Sequence, residues 1–82
     1  MTTEQINTFL SKNTEDSPVR ISFKTRNNVT GIFVKTPDYD ELKAKNFWRI
    51  VSEANLDKWK KSKDFSLCRM FNGAEFTKLA VA

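Results

Sequence analysis

The stretch PVRISFKTRNNVTGIFVKTPD, residues 18–38, carries the clearest β-strand signal in the chain. Apolar and polar residues alternate at its start, a period of two that places one face of a strand in a core and the other in water. The apolar positions of this alternation are Val19, Ile21 and Phe23. A second run, residues 29–35, is rich in β-branched and aromatic residues, and the Asn27-Asn28 pair before it is typical of a turn because asparagine tolerates positive φ. The stretch therefore predicts a β-hairpin.

Gly31 interrupts the second strand of this hairpin. A glycine inside a strand weakens it unless the strand bends sharply or another backbone approaches closely. The strand stops at Thr36-Pro37-Asp38, because proline removes a ladder donor and holds the preceding residue extended. The pattern favours a strongly bent strand of the kind that a small barrel needs.

The rest of the chain adds a helix and three more strands. Thr2 or Thr3 can cap an amphipathic helix within residues 1–14, which we expect to close one open end of the β structure. Residues 38–46 are polar and are predicted as a loop with at most one helical turn. The remaining strands are predicted at 47–51, 65–71 and 75–81. The first of these three is nearly apolar, as expected for a strand that is covered on both faces or bent across a barrel.

The last two strands are joined by Asn72-Gly73, the strongest turn dipeptide in the chain, in which Gly73 is expected to supply a positive φ. The sum is one short N-terminal helix, residues 1–14, followed by five strands within residues 18–82. The sequence therefore predicts a single domain, residues 1–82, that is mainly β.

Length and composition exclude several classes of protein. A chain of 82 residues buries only roughly 60% of its unfolded surface, so oligomerisation is the route left open for added stability. One cysteine, Cys68, and no histidine leave no disulfide within the chain, no typical metal site and no imidazole-assisted nucleophile. We therefore expect no catalytic residue, no cofactor, no metal and no enzymatic activity.

The same composition bears on the compartment. No apolar run approaches the ~20 residues needed to cross a bilayer, and the N-terminus lacks the pattern of a signal peptide. A single cysteine is typical of a reducing compartment. We expect a cytoplasmic protein without a membrane partner.

The net charge of +4 is distributed unevenly. Residues 1–16 carry a net −2, whereas residues 43–63 carry seven Lys or Arg against two acidic residues, a net +5. Aromatic residues interleave with this basic stretch, which suits single-stranded nucleic acid; a solvated surface over core aromatics is the alternative. Trp59 lies among four lysines in a segment, 52–64, predicted as a helical turn or a solvated loop. It is either a lid over the β structure or an exposed platform for base stacking.

The order of these elements, with two short motifs, resembles the Sm-like family of RNA-binding ring proteins, which includes the Sm and LSm proteins and the Hfq-type RNA chaperones. The first motif runs from the hairpin through Gly31, Phe33 and Asp38 to Asn46-Phe47, with a longer gap before Asn46 than is usual in the family. The second is MFNGAEF, residues 70–76, in which Asn72 stands where the eukaryotic and archaeal members carry arginine. The resemblance covers nearly the whole chain.

The resemblance implies a strongly bent five-stranded antiparallel SH3-like (Sm-like) barrel over residues 18–82. It also implies a homo-oligomeric ring of roughly five to seven subunits. In the family the fourth strand of one subunit pairs with the fifth strand of the next, which leaves no open edge. The implied interface strands here are 65–71 and 76–81.

The resemblance further implies that single-stranded RNA binds near the pore of the ring. Asn46 matches a base-contacting asparagine, and Asn72-Gly73 matches the Arg-Gly turn. Among the neighbouring residues, Tyr39 can stack on a base, and Lys43 and Lys45 can contact phosphate. The implied RNA-binding residues are Tyr39, Lys43, Lys45, Asn46, Asn72 and Gly73. Asn46 and Asn72 are equally typical of turns.

Three functions fit these features. The first is a non-catalytic Sm-like ring protein that binds single-stranded RNA near its pore. The absence of arginine at position 72 favours a second, a structural or protein-binding ring scaffold without nucleic-acid binding. The third is a monomeric SH3-like barrel that binds double-stranded DNA through the lysines of residues 58–63.

Overall fold

A computed structural model of the chain describes residues 1–12 and 17–82. The described elements are α1 (Thr3–Ser11), β1 (Val19–Phe23), β2 (Val29–Phe33), α2 (Tyr39–Ala44), β3 (Phe47–Ser52), α3 (Leu56–Ser62), β4 (Arg69–Asn72) and β5 (Phe76–Val81). Short 3-10 turns at Glu53–Asn55, Phe65–Leu67 and Gly73–Glu75 precede α3, β4 and β5. The predicted end of the N-terminal helix, at residues 13–14, and the connector residues up to 16 lie outside the described residues. Among the helices that are described, none has the length and apolar character that crossing a membrane requires.

The five strands form one antiparallel sheet in the order β4-β3-β2-β1-β5. The predicted hairpin of β1 and β2 is confirmed, with Ile21 opposite Val29, although its loop needs no positive φ at the asparagine pair. No ladder joins β4 to β5 within the described ranges, so the sheet does not close into a barrel. The fold is a small mixed α/β structure, with an N-terminal helix and a five-stranded antiparallel sheet.

The sheet is nevertheless strongly curled. Phe23 of β1 and Phe71 of β4 have ring centroids 5.6 Å apart, although two strands separate β1 from β4 in the sheet. The Phe23 ring also packs edge-on against Phe76 of β5, at 5.2 Å. Aromatic side chains from both edges of the sheet therefore meet at its concave side.

Helix α1 is capped by Thr2, one of the two threonines that the sequence predicts as caps. The Thr2 hydroxyl accepts a hydrogen bond from the Gln5 N–H at 3.2 Å, and the Gln5 side chain accepts one from the Thr2 N–H at 2.9 Å. This capping box satisfies two backbone donors that the first turn leaves unpaired. The apolar stripe of α1 then places Ile6, which is fully buried, against the sheet.

Two apolar clusters lie on opposite faces of the sheet. The inner cluster joins α1 to the concave face and consists of Ile6, Val19, Ile21, Trp48, Ile50, Phe76 and Leu79. The outer cluster lies under α3 and consists of Ile32, Val34, Val51 and Trp59. β3 supplies residues to both clusters, which confirms that this strand is covered on both faces. Trp59 is only 5% exposed, so the lid prediction is confirmed and the stacking platform is wrong.

The fourth strand is shorter than predicted. Phe65–Leu67 form a 3-10 turn instead of a strand, because the Asp64 carboxylate caps the turn by accepting the Ser66 N–H at 2.9 Å. Leu67 and Cys68 then both pack against the outer cluster, so strand geometry begins only at Arg69. The loop predicted before the third strand likewise contains the six-residue helix α2.

β5 departs from simple alternation at Thr77. Ser22 lies opposite Lys78 and Phe23 lies opposite Phe76, so Thr77 is the extra residue of a β-bulge. As a result Phe76 and Leu79 both face the inner cluster, whereas the alternation in the sequence predicts them on opposite sides.

Gly31 is confirmed as a site of close backbone approach, and its replacement tests the fold. A Cβ atom at this position would lie 2.3 Å from the Val51 carbonyl oxygen. Gly31→Ala should lower the free energy of unfolding by about 2–3 kcal/mol, because β3 has to move to make room. Urea unfolding measures the loss, with Thr30→Ala as the control, for which we expect less than about 1 kcal/mol. Equal losses in the two variants would contradict the close approach.

Candidate nucleic-acid interface

The segment before β3 and the turn between β4 and β5 meet in the folded chain. The Gly73 N–H donates a hydrogen bond to the Asn46 carbonyl at 2.8 Å, and Phe47 lies opposite Asn72 in the β3–β4 ladder. Three of the six predicted RNA-binding residues, Asn46, Asn72 and Gly73, therefore lie side by side; we call them the junction. Their sequence separation is bridged by the pairing of β3 with β4.

Asn46 occupies the junction with a left-handed backbone, at φ 62°. Its side-chain NH2 donates to the Met1 carbonyl at 2.9 Å, and its Oδ1 accepts from the Trp48 indole N–H at 2.8 Å. Trp48 is almost fully buried, and a buried indole N–H requires an acceptor. The turn role of Asn46 is confirmed, and its contact with RNA stays a prediction.

Gly73 is buried, and its φ is not positive, so the expectation of a left-handed glycine in this turn is wrong. A Cβ atom at residue 73 would lie 2.2 Å from Asn46 Oδ1 and 2.6 Å from Ile6 Cδ1. Glycine is needed because the junction leaves no room for a side chain. Asn72 is exposed, and its Oδ1 accepts the Ala74 N–H at 2.9 Å, which caps the 3-10 turn that follows.

The other three predicted RNA-binding residues lie on α2 and at its C-terminal end. Tyr39 is half-buried, with its ring 6.1 Å from Trp48 in an edge-on contact. Two ammonium groups lie over the Tyr39 ring, those of Lys35 at 5.6 Å and Lys43 at 5.9 Å. Lys45 caps the C-terminus of α2 and is exposed. The aromatic ring and these cations adjoin the junction through the chain, since Asn46 follows Lys45 directly.

An ion pair fixes the start of α2 to β3. Arg49 Nη2 lies 2.9 Å from Asp38 Oδ2, Arg49 Nε donates to Oδ1 at 3.3 Å, and the Thr36 hydroxyl also donates to Oδ1. The hydrogen bond from Arg49, followed by that from Thr36, lowers the pKa of Asp38 from 3.8 to about 2. The same pairing raises the pKa of Arg49. These residues line a cleft of about 350 Å³ with Pro37 and Phe65.

Sequence reasoning did not assign Arg49, although a signal existed. It is the only charged residue in the otherwise apolar segment 47–51, where a half-buried cation requires a partner. Acidic residues lie on both sides of β3 in the sequence. Sequence alone does not decide which of Asp38, Asp40, Glu41 and Glu53 is the partner.

Comparison of the chain with protein-family models, curated proteins and solved structures gives no match. Inference about the function therefore starts from the residues of the junction and of α2.

Asn46→Gly tests the structural role of the junction. Glycine keeps the left-handed backbone but removes the acceptor of the buried Trp48 N–H, so we expect a loss of about 1–3 kcal/mol in the free energy of unfolding. Lys63→Gly is the matched control, because Lys63 is the other described non-glycine residue with a positive φ, at 53°. We expect its stability to be unchanged or higher, since glycine is preferred at such a helix end. An Asn46→Gly protein as stable as the wild type would contradict this role.

The Asp38–Arg49 pair predicts a loss of stability in acid. Because the folded pKa of Asp38 lies below its ordinary value, the pair contributes stability that is fully present above pH 3.8 and is lost as the pH falls toward about 2. Asp38→Asn should be less stable than the wild type at about pH 6, and this difference should shrink toward about pH 2. Urea midpoints across this range measure it, with Asp57→Asn on α3 as the control. A difference that does not change with pH would argue against the ion pair.

Proposed function

We propose that the chain is a non-catalytic, Sm-like protein that forms a homo-oligomeric ring and binds single-stranded RNA at the junction and α2. The observation that carries this proposal is the hydrogen bond from the Gly73 N–H to the Asn46 carbonyl. It brings together the two segments that the resemblance assigns to RNA. The finer description of the fold as Sm-like belongs to the same proposal; the sheet of a single chain does not close, and its strong curl supports the description.

The open edges of the sheet support the ring. The strand order leaves β4 and β5 at opposite edges, and these are the strands through which the resemblance pairs one subunit with the next. Each edge carries an exposed apolar side chain, Met70 on β4 and Val81 on β5, more than half exposed in each case. Unpaired strand edges favour association with another chain. Pairing β4 with β5 of a neighbouring copy satisfies both edges at once and, repeated around an axis, closes a ring.

Charge and surface chemistry support single-stranded RNA as the ligand. Lys43 and Lys45 supply cations, and Tyr39 an aromatic ring, on the segment that leads into the junction, where the Asn72 amide is exposed. Phosphate contacts from lysine and stacking on aromatic rings are the two main contributions to single-strand binding. A duplex offers no unstacked bases to Tyr39, so the proposed site favours single strands. The proposal places the protein in the cytoplasm, and the free thiol of Cys68 is consistent with a reducing compartment.

A ring scaffold that holds a protein partner is the second candidate. It is favoured by the Asn46 side chain, whose amide is already bonded to Met1 and Trp48 within the chain. An amide occupied in this way has less capacity to read a base edge. The two candidates share the ring and differ in whether the surface of α2 and Asn72 binds RNA.

The test is fluorescence anisotropy of labelled oligo-U, oligo-A, duplex RNA and duplex DNA over a salt series, with light scattering of the same samples. We expect ring-sized particles that bind single strands more tightly than duplex, with an affinity that falls as salt rises. Lys43→Gln with Lys45→Gln should weaken binding, and the slope of log affinity against log salt should become shallower by about 0.7 for each phosphate that is no longer neutralised.

The matched control is Lys58→Gln with Lys61→Gln, which removes the same charge from exposed positions of α3. An equal loss in this variant would move the interface to α3. Ring-sized particles without RNA binding would favour the scaffold. Monomers that prefer a duplex would favour the SH3-like DNA-binding alternative.

A further inference from the structure

Arg26 lies in the loop between β1 and β2 and is exposed, yet its guanidinium is held in place by two aromatic rings. Its central carbon lies 5.2 Å from the centroid of the Phe23 ring and 5.5 Å from that of Phe71. Within residues 1–12 and 17–82, no carboxylate pairs with it and no hydrogen bond uses its N–H groups. Among these residues, the two rings fix the position of the Arg26 guanidinium, and its N–H groups are available to bind a ligand.

The aromatic contacts restrict the conformation of the Arg26 side chain but accept no hydrogen bond from its N–H groups in the plane of the guanidinium. Cation–π contacts at exposed positions contribute little to stability. They do limit the rotamers of a long side chain, so less conformational freedom remains to be lost when the guanidinium binds a ligand. A guanidinium offers five N–H donors in a planar fork, which matches two oxygens of a phosphate.

The position of Arg26 relates it to the junction. Phe71 directly precedes Asn72, and Phe23 packs against Phe76, the first residue of β5. The guanidinium therefore contacts, directly or through Phe23, the strands on both sides of the Asn72–Gly73 turn. The junction itself contains no charged side chain, and Arg49 is already paired with Asp38. Arg26, which packs on Phe23 and Phe71, therefore supplies a cation for a phosphate beside this turn.

We propose that Arg26 binds a backbone phosphate of the RNA strand that passes the Asn72–Gly73 turn. This inference rests on the proposed function and adds the β1–β2 loop to an interface otherwise made by α2 and the junction. The ligand group is a phosphate, because the guanidinium fork matches two phosphate oxygens. The contact carries no sequence preference, since phosphates are common to all nucleotides.

The experiment compares R26M, R26K and R20M by anisotropy with labelled oligo-U over a salt series, with urea unfolding of each variant. R26M keeps an unbranched apolar chain over Phe23 and Phe71, so its urea midpoint should stay near that of the wild type. Its affinity should fall about tenfold, and the slope of log affinity against log salt should become shallower by about 0.7 if Arg26 neutralises one phosphate.

R26K keeps the charge but removes the fork, so we expect about a threefold weaker affinity with the salt dependence retained. R20M is the matched control, because Arg20 is an exposed arginine on β1 opposite Thr30 and Ala80, and we expect wild-type affinity.

Each outcome decides the assignment. If the wild-type protein binds oligo-U and R26M binds it equally well, the Arg26 contact is overturned while RNA binding stands. If R20M weakens binding as much as R26M, the effect is one of overall charge and the specific contact is overturned. If the wild-type protein binds no RNA, both the proposed function and the Arg26 contact fail. If R26M lowers the urea midpoint, R26K decides. An R26K protein that binds as tightly as the wild type overturns the contact of the guanidinium fork with phosphate, and one that binds about threefold more weakly supports it.

Discussion

The buried indole N–H of Trp48 must donate a hydrogen bond, and the arrangement around it depends on its acceptor, Asn46 Oδ1. The left-handed backbone of Asn46 is part of this arrangement, and the carbonyl of the same residue accepts the Gly73 N–H. The Asn46 NH2 group then reaches the Met1 carbonyl. One asparagine therefore joins the start of β3, the turn before β5 and the beginning of the chain. Gly73 completes the arrangement because a side chain there would overlap Asn46 and Ile6.

Periodicity in the sequence was sufficient to predict the elements that obey a single pattern. The alternation of Val19, Ile21 and Phe23 predicted β1, and the Thr2 cap predicted α1. Features that arise from tertiary contacts were not predictable in this way. The bulge at Thr77 changes which face of β5 is buried, and the Asp64 cap converts the predicted start of the fourth strand into a 3-10 turn. The sequence predicts a glycine at 73 because of a positive φ, but the glycine is needed because Asn46 approaches it closely. A backbone conformation can be predicted from neighbouring residues, whereas a contact with a residue distant in sequence cannot.

The same distinction applies to the candidate site. Motif positions identified Asn46, Asn72 and Gly73, and the structure places these three side by side. The roles of the residues differ, however, since Asn46 is bonded within the chain whereas Asn72 and Lys45 are exposed. Arg26 had no motif to mark it, because its position over Phe23 and Phe71 depends on the curl that brings β4 toward β1. Around the packed residues Asn46 and Gly73 lie the exposed side chains of Asn72, Lys45 and Arg26, to which we assign the binding of a single strand.

Photocrosslinking of thiouridine-substituted oligo-U, followed by mass spectrometry of the crosslinked peptides, tests the central claim most directly. The method reports which segments touch RNA whatever the oligomeric state. We predict crosslinks in residues 39–46 and 69–75, the segments that carry α2 and the junction. Crosslinks confined to the lysine-rich residues 56–63 of α3, or no crosslinks at a concentration at which control RNA-binding proteins react, would contradict this claim.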